Sequence, residues 1–289
     1  MHVPVMTAEV LAHLQLRPEA WVIDATTGHG GHTAALAQVP AWVVANDQDE
    51  AAIETSRRNT EAWRERITYT HGPFSSLSGR LKAMSRTAFD GLVGDLGVNR
   101  EQLVSPERGF SFMSEGPLDM RMDRTRPQTA ADLVNQLDEK SLADLIYRFG
   151  EERRSRQIAR AIVRARPLYS TGRLASAIRS AVPRHESIDP ATRTFMALRM
   201  AVNEELDEIE SLLEQIPLVL KPGGRAVILT FHSLEDRLVK HKFLELAQQG
   251  QGTVITRKVV MPAPEETRRN PASRSAKLRC FERAAGGSQ

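Results

Sequence analysis

A short apolar run, Trp21-Val-Ile-Asp24, leads through three small residues into the glycine-rich turn Gly28-His-Gly30-Gly31-His32, and a helix-forming stretch occupies 33–38. A second apolar run, Trp42-Val-Val-Ala45, ends in Asn46-Asp47, which puts Asp47 23 residues after Asp24. Strand, glycine turn, helix and strand in this order form half of a nucleotide-binding α/β unit. Glycine lets a ligand approach the main chain and reaches positive φ at no steric cost. A carboxylate about 20 residues further on, at the next strand end, can accept hydrogen bonds from both hydroxyls of a ribose. The pattern therefore points to an adenosine-bearing cofactor. Thr33 stands at the third glycine position of the dinucleotide fingerprint, and no Lys-Ser/Thr pair of a phosphate loop follows. The missing diphosphate signatures favour S-adenosylmethionine over a dinucleotide; a strand-turn-helix without a ligand is the plainer alternative.

Pattern along the chain extends this unit. Residues 6–16 read as an amphipathic helix, 50–66 as a helix, 66–71 as an alternating strand and Phe89-Asp-Gly-Leu-Val-Gly-Asp95 as a fourth strand ending in a carboxylate. Strands alternating with helices predict a parallel, doubly wound sheet. After Asp95 the pattern turns helical, over 130–137, 141–149 and 152–165, with Gly150 at a C-cap position and no evident strand between 102 and 193. A long helix over 194–216 ends before Pro217, Lys221-Pro-Gly-Gly224 makes a turn, and 225–231 is an apolar strand. A helix over 235–248 and the extended pieces 253–260 and 276–283 follow, the last two suited to an antiparallel hairpin at the sheet edge. This divides the chain into 1–104, a helical insertion over 105–193, and 194–289.

Charge is unevenly distributed. The chain of 289 residues carries a net +3, yet between Arg148 and Arg199 twelve arginines face four acids, leaving −5 elsewhere. That concentration suits a polyanion such as RNA, with a solvated, internally ion-paired helix face as the alternative. The single cysteine, Cys280, cannot form an internal disulfide, and no histidine or cysteine cluster has zinc-site spacing. The N-terminus lacks a charged segment followed by an apolar one, and no run of 18 apolar residues occurs, so the expectation is a soluble, cytoplasmic protein.

Ten ordered segments resemble one family, the small-subunit ribosomal RNA (cytosine-N4)-methyltransferases of the RsmH/MraW type. They are His2-Val-Pro-Val5, Gly30-Gly-His-Thr33, His71-Gly-Pro-Phe74, Asp95-Leu-Gly-Val98, Pro106 to Phe112, Gly116-Pro-Leu-Asp-Met-Arg-Met-Asp123, Tyr147 to Glu152, Ala191 to Phe195, Phe231 to Arg237, and Asn270 to Leu278. The resemblance implies a class I S-adenosylmethionine-dependent methyltransferase: a Rossmann-like doubly wound sheet with an antiparallel edge strand, a helical insertion, and methylation of a cytosine in the ribosomal decoding region, at the P site. Position by position it implies cofactor contacts at Gly30, Gly31, His32, Asp47, Phe74, Asp95 and Gln102. Among acceptors for the reacting amine, Asp95 leads, with Asp119, Asp123 and His232 behind it. Asp119 and Asp123 can equally pair Arg121 or Arg124 within their loop, and His232 can cap the following helix. The implied partner is small-subunit ribosomal RNA, naked or assembled; a homodimer is left open, and no membrane or resident metal is implied.

The chain departs from the family pattern at Asn99-Arg100, where serines are usual, at Gly94 before Asp95, and in Asn46-Asp47-Gln48-Asp49. The carboxylates survive these changes, whereas an arginine beside the expected active site adds charge and bulk. A nicotinamide-dependent oxidoreductase and a non-catalytic RNA-binding factor share parts of the pattern; the first would use the same turn and ribose acid, the second would need neither.

Overall fold

The computed structural model describes residues 4–182 and 188–285. Arg184 and Glu186 of the arginine-rich stretch, and His2 and Val3 of the first matching segment, lie outside the described residues. The chain forms two compact units, one of Met1–Gly97 with Leu206–Gln289 and the other of Val98–Glu205.

The first unit begins with helix α1 (Thr7–Leu14), strand β1 (Trp21–Asp24), α2 (Gly31–Gln38), β2 (Trp42–Asp47), α3 (Glu50–Asn59), β3 (Ile67–His71), α4 (Leu77–Ala83) and β4 (Phe89–Asp95). The second contains α5 (Arg100–Val104), α6 (Ala130–Gln136), α7 (Glu139–Gly150), α8 (Ser155–Ala165), α9 (Thr171–Ala181) and α10 (Ala191–Val202). The chain then runs through α11 (Glu205–Val219), β5 (Leu220–Thr230), α12 (Ser233–Gln248), β6 (Gly252–Val254), α13 (Pro264–Arg269) and β7 (Lys277–Arg283).

The seven strands form one sheet in the order β3-β2-β1-β4-β5-β7-β6. Pairing is parallel from β3 to β5, and β7 is antiparallel to both of its neighbours. This is the fold class the resemblance implies. Its parallel strands are covered on both faces, which is why they read as continuous apolar runs. Ile23, Leu92 and Ile228 pack under Leu212, Leu213 and Ile216 of α11 and Phe243 of α12. Their chain neighbours Val22, Val93 and Val227 pack on the other face with Val10 and Leu14 of α1 and Leu36 of α2. The expected terminal hairpin forms antiparallel pairs, but α13 intervenes and β7 lies inside the sheet, between β5 and β6. Lys221-Pro-Gly-Gly224 lies inside β5 as an irregularity in its register with β4 between Phe89 and Gly91.

Several helical expectations need correction. The predicted helix over 50–66 is α3 followed by a separate 3-10 segment, Glu61–Arg66. The predicted helix over 194–216 is two helices, because Asn203 leaves helical geometry and Glu204 adopts φ 51°. Asn203 is fully buried and its amide is used elsewhere: Oδ1 accepts from Met122 N at 2.7 Å and Nδ2 donates to Met120 O at 2.8 Å. Pro217 lies inside the last turn of α11 and does not end it. The helical unit takes in α10, which the sequence pattern places largely with the final segment, since Phe195, Leu198 and Val202 are buried in its core with Leu142, Ile146 and Ile158.

Gly150 is the last residue of α7, and the left-handed C-cap is Glu151. Its lack of a side chain is needed for helix contact: a Cβ there would meet Arg193 O at 2.7 Å and Ala197 Cβ at 3.4 Å. Ala in place of Gly normally stabilises a helix by about 1 kcal/mol. Gly150→Ala should instead destabilise the protein by about 1–3 kcal/mol through overpacking. Urea unfolding checks this, and a stabilised variant would contradict the contact.

Candidate active site

In the first unit the carboxyl-terminal ends of the parallel strands carry a group of acids. In the sheet register Asp24 lies opposite Ala45 of β2 and Val93 of β4, so Asp47 and Asp95 each stand two residues beyond it, on the same face of the sheet. The turn after β1 packs against them. Gly28 has φ 48° and donates its N–H to Asp47 Oδ2 at 2.8 Å, while Asp49 N–H donates to Oδ1 at 2.9 Å. Each oxygen keeps a second lone pair for a ligand hydroxyl. Burial raises the Asp47 carboxyl to about 6, against the opposing pull of those two N–H donors, and the charges of Asp49 and Asp24 add to the rise.

The three glycines of the turn do different work. A Cβ on Gly30 would lie 2.6 Å from Ser56 Oγ and 2.8 Å from Thr60 Cγ2, and one on Gly31 would lie 2.8 Å from Pro4 Cβ. Packing within the protein demands these two, where the sequence pattern suggests ligand approach. At Gly28 the nearest heavy atom to an added Cβ is 4.0 Å away, so there the main chain remains open. Thr33, at the missing glycine position, donates Oγ1–H to Asp24 Oδ2 at 2.6 Å and hydrogen-bonds Thr27 Oγ1 at 2.7 Å, which in turn meets Ser56 Oγ at 2.8 Å. This buried hydroxyl chain ties β1, α2 and α3 to one acid. Asp24 itself is fully buried, and burial raises its carboxyl above the ordinary range.

Asp95 ends β4. Its N–H donates to Thr26 Oγ1 at 2.6 Å, its Oδ2 lies 3.6 Å from His32 Nδ1, and its buried Oδ1 has no hydrogen-bond partner. His32 is itself buried, with Nε2 3.0 Å from Val5 O. A carbonyl only accepts, so Nε2 carries hydrogen and Nδ1 faces Asp95. Burial lifts the Asp95 carboxyl to about 6; His32 opposes the rise, and Asp24 and Glu235 add to it. A strand-end carboxyl that is 23% exposed and has a raised pKa is a candidate for chemistry.

Two further predicted residues lie in this unit. Phe74 follows Pro73 in a 3-10 turn and packs half-buried on the core face that contains Ile23. Its loop is held by Arg80, a residue sequence reasoning misses because the stretch around it is poor in apolar residues; the guanidinium donates to Asn46 Oδ1 at 2.7 Å and Pro73 O at 2.9 Å. His232 is the N-cap of α12. Its Nδ1 accepts from Glu235 N at 3.4 Å, and its Nε2 stands 2.9 Å from Glu235 Oε1 without forming a directed hydrogen bond. Fully buried Glu235 also accepts from Phe231 N at 2.8 Å. Of the two uses that the sequence allows for His232, the structure displays the cap.

The other candidates belong to the second unit. Gln102 is buried and forms a capping box with Asn99, its Oε1 accepting from Asn99 N at 3.0 Å. Asp119 holds the Arg121 guanidinium with both oxygens, at 2.7 and 2.9 Å. Burial pulls its carboxyl up, but the Arg121 hydrogen bonds prevail and hold it below the usual range. Asp123 accepts from Thr125 N at 2.9 Å and Thr125 Oγ1 at 2.7 Å. Both acids thus serve their loop. Ile158, Ala159 and Ile162 bury one face of α8, while Arg156, Arg160 and Arg164, with Arg153 just before the helix, stay exposed. Of these, Arg160 is paired by Glu139 at 3.3 Å.

The raised Asp95 pKa has a consequence for stability. Between about pH 4 and pH 6 the folded protein binds the Asp95 proton more tightly than the unfolded chain does, so stability falls as pH rises through that window and stays lower above it. Asp95→Asn should therefore raise the stability at pH 7.5 by about 2 kcal/mol, an advantage that fades toward pH 4. Urea unfolding at the two pH values measures it; equal destabilisation at both would contradict the burial argument.

A family model described as the MraW methylase family matches residues 1–284. A protein of Solibacter usitatus named "Ribosomal RNA small subunit methyltransferase H" is 55% identical over 284 residues, covering 98% of this chain and 99% of the relative. Proteins of the same name from Sorangium cellulosum and Rippkaea orientalis are each 46% identical, covering 99% and 98% of this chain and 91% and 92% of their own. The buried acids at the strand ends thus lie in a methyltransferase, and the chain belongs to the MraW methylase family.

Proposed function

We propose that this protein transfers the methyl group of S-adenosylmethionine to the exocyclic N4 of a cytosine in the decoding region of small-subunit ribosomal RNA, at the P site, in the cytoplasm. The names of the relatives support the RNA class, and among the described residues no helix is long and apolar enough to cross a membrane. The observation that carries the chemistry is the Asp95 carboxyl at the end of β4, 23% exposed and raised to about 6 chiefly by burial.

The first unit suits the cofactor. Open main chain at Gly28 and the spare lone pairs of Asp47 fit the amino-acid and ribose portions, the turn 30–32 frames them, and the half-buried ring of Phe74 fits an adenine face. When bound, the cofactor supplies an electrophilic methyl group on a sulfonium. Cytosine N4 is a poor nucleophile because its lone pair is delocalised into the ring, so it must be aligned and relieved of a proton. Asp95 would accept the N4–H hydrogen bond and take up the proton that N4 releases on gaining the methyl group. A carboxylate titrating at about 6 is a stronger base than an ordinary one and is still ionised at neutral pH. The base must leave any stack to get there, and the exposed arginines of α8 suit RNA phosphates. Asp119, Asp123 and His232 have local structural duties and are assigned positioning of their own segments.

Methylation at ring carbon C5 would need a thiolate to add to the ring first. The chain's single cysteine, Cys280, is buried, and burial pushes its thiol up to about 12. This favours the amine as target.

Label from methyl-tritiated S-adenosylmethionine should enter unmodified small-subunit RNA, as assembled particles or naked transcript, and be recovered as N4-methylcytidine after digestion. Asp95→Ala should slow transfer by about 100-fold or more. Label recovered as 5-methylcytidine, or transfer to neither substrate, would overturn the assignment.

A further inference from the structure

The matched segment Asn270 to Leu278 has no part in the chemistry above, and it leads to a second surface, on the methyltransferase unit itself. Asp95, Leu229, Leu278 and Val260 lie in one hydrogen-bonded row across β4, β5, β7 and the outer edge of the sheet. Three strand spacings of about 4.8 Å separate the ends of that row, roughly 14 Å. The chain between Val260 and Leu278 therefore emerges at the same edge of the sheet as Asp95. It carries α13 and a 3-10 turn, Pro271–Ser275, and is fastened where Met6 N donates to Glu266 Oε1 at 2.6 Å. The connection reaches the site, since the neighbouring Val5 carbonyl holds His32, which faces Asp95.

Residues 255–277 contain six basic and two acidic side chains. Glu265 pairs Arg268 at 3.1 Å, Glu266 is committed to Met6, and Lys277 pairs Asp236 at 3.2 Å. Arg257, Lys258, Arg269 and Arg274 remain, all exposed, and none has an acidic partner among the described residues. Arg257 and Lys258 belong to an irregular stretch, because Ile255 N bonds Cys280 O at 2.9 Å while Val260 pairs Leu278, leaving the four residues 256–259 opposite Arg279 alone. Both side chains of this stretch are exposed.

We propose that Arg257, Lys258, Arg269 and Arg274 form a basic rim that binds the phosphates of the RNA strand flanking the target base. This rests on the reading of the protein as an RNA methyltransferase. The rim lacks base-reading groups such as exposed aromatic rings, so it positions the strand and does not select its sequence.

The test is a variant with all four changed to Gln, assayed as full-length protein beside the wild type. Its melting temperature and its affinity for S-adenosylhomocysteine should match wild type. The KM for small-subunit RNA should rise about tenfold, and the slope of log K against log salt should fall by about 0.7 for each phosphate that is no longer neutralised, up to about 3. Wild-type KM and salt slope in a folded variant would overturn the rim while leaving the methyltransferase reading intact. Failure of the wild type to bind or methylate RNA would overturn both.

Discussion

Confinement of carboxylates at the ends of three adjacent parallel strands is the constraint around which the first unit is arranged. Asp24, Asp47 and Asp95 share one face of the sheet, and burial raises all three above the ordinary range. Removing such charges from water is costly unless donors replace it. The replacements come from distinct elements: Thr33 of α2 for Asp24, and main-chain N–H groups of Gly28 and Asp49 for Asp47. The glycine turn is thus as much a support for the acids as a place for a ligand. Compensation is incomplete at Asp95, the residue to which the proposed reaction is assigned: its Oδ1 has no hydrogen-bond partner and its Oδ2 lies 3.6 Å from His32 Nδ1.

The strands and their terminal acids were legible because a parallel sheet buried on both faces imposes continuous apolar runs, and because acids just beyond such runs stand out. What stayed hidden depended on partners far along the chain. Asn203 breaks a regular helical pattern to bond the main chain of Met120 and Met122, some 80 positions earlier. Gly150 reads as a cap because the Arg193 carbonyl it accommodates has no local signature. Gly30 and Gly31 stand out in the sequence for an incomplete reason, since Ser56, Thr60 and Pro4 already exclude a side chain there. For Asp119, Asp123 and His232 residue type suggests acid-base work, and only geometry displays the bonds to Arg121, Thr125 and Glu235.

Charge follows the same division. Net charge is close to neutral, yet exposed arginines concentrate on α8, and a separate group of cations lines 257–274 of the methyltransferase unit. Composition locates the first through sheer density. The second emerges only once ion pairs have accounted for Arg268 and Lys277 and the sheet register has placed the segment beside the edge that carries Asp95.

The ionisation of Asp95 is what the proposed chemistry depends on most directly. Carbon-13 NMR titration of its side-chain carboxyl in the unliganded protein, with Asp95→Asn to assign the resonance, measures it. The expected midpoint is near 6, where burial and the neighbouring acids outweigh His32. A midpoint near 4, the value of an ordinary solvated aspartate, would contradict that role.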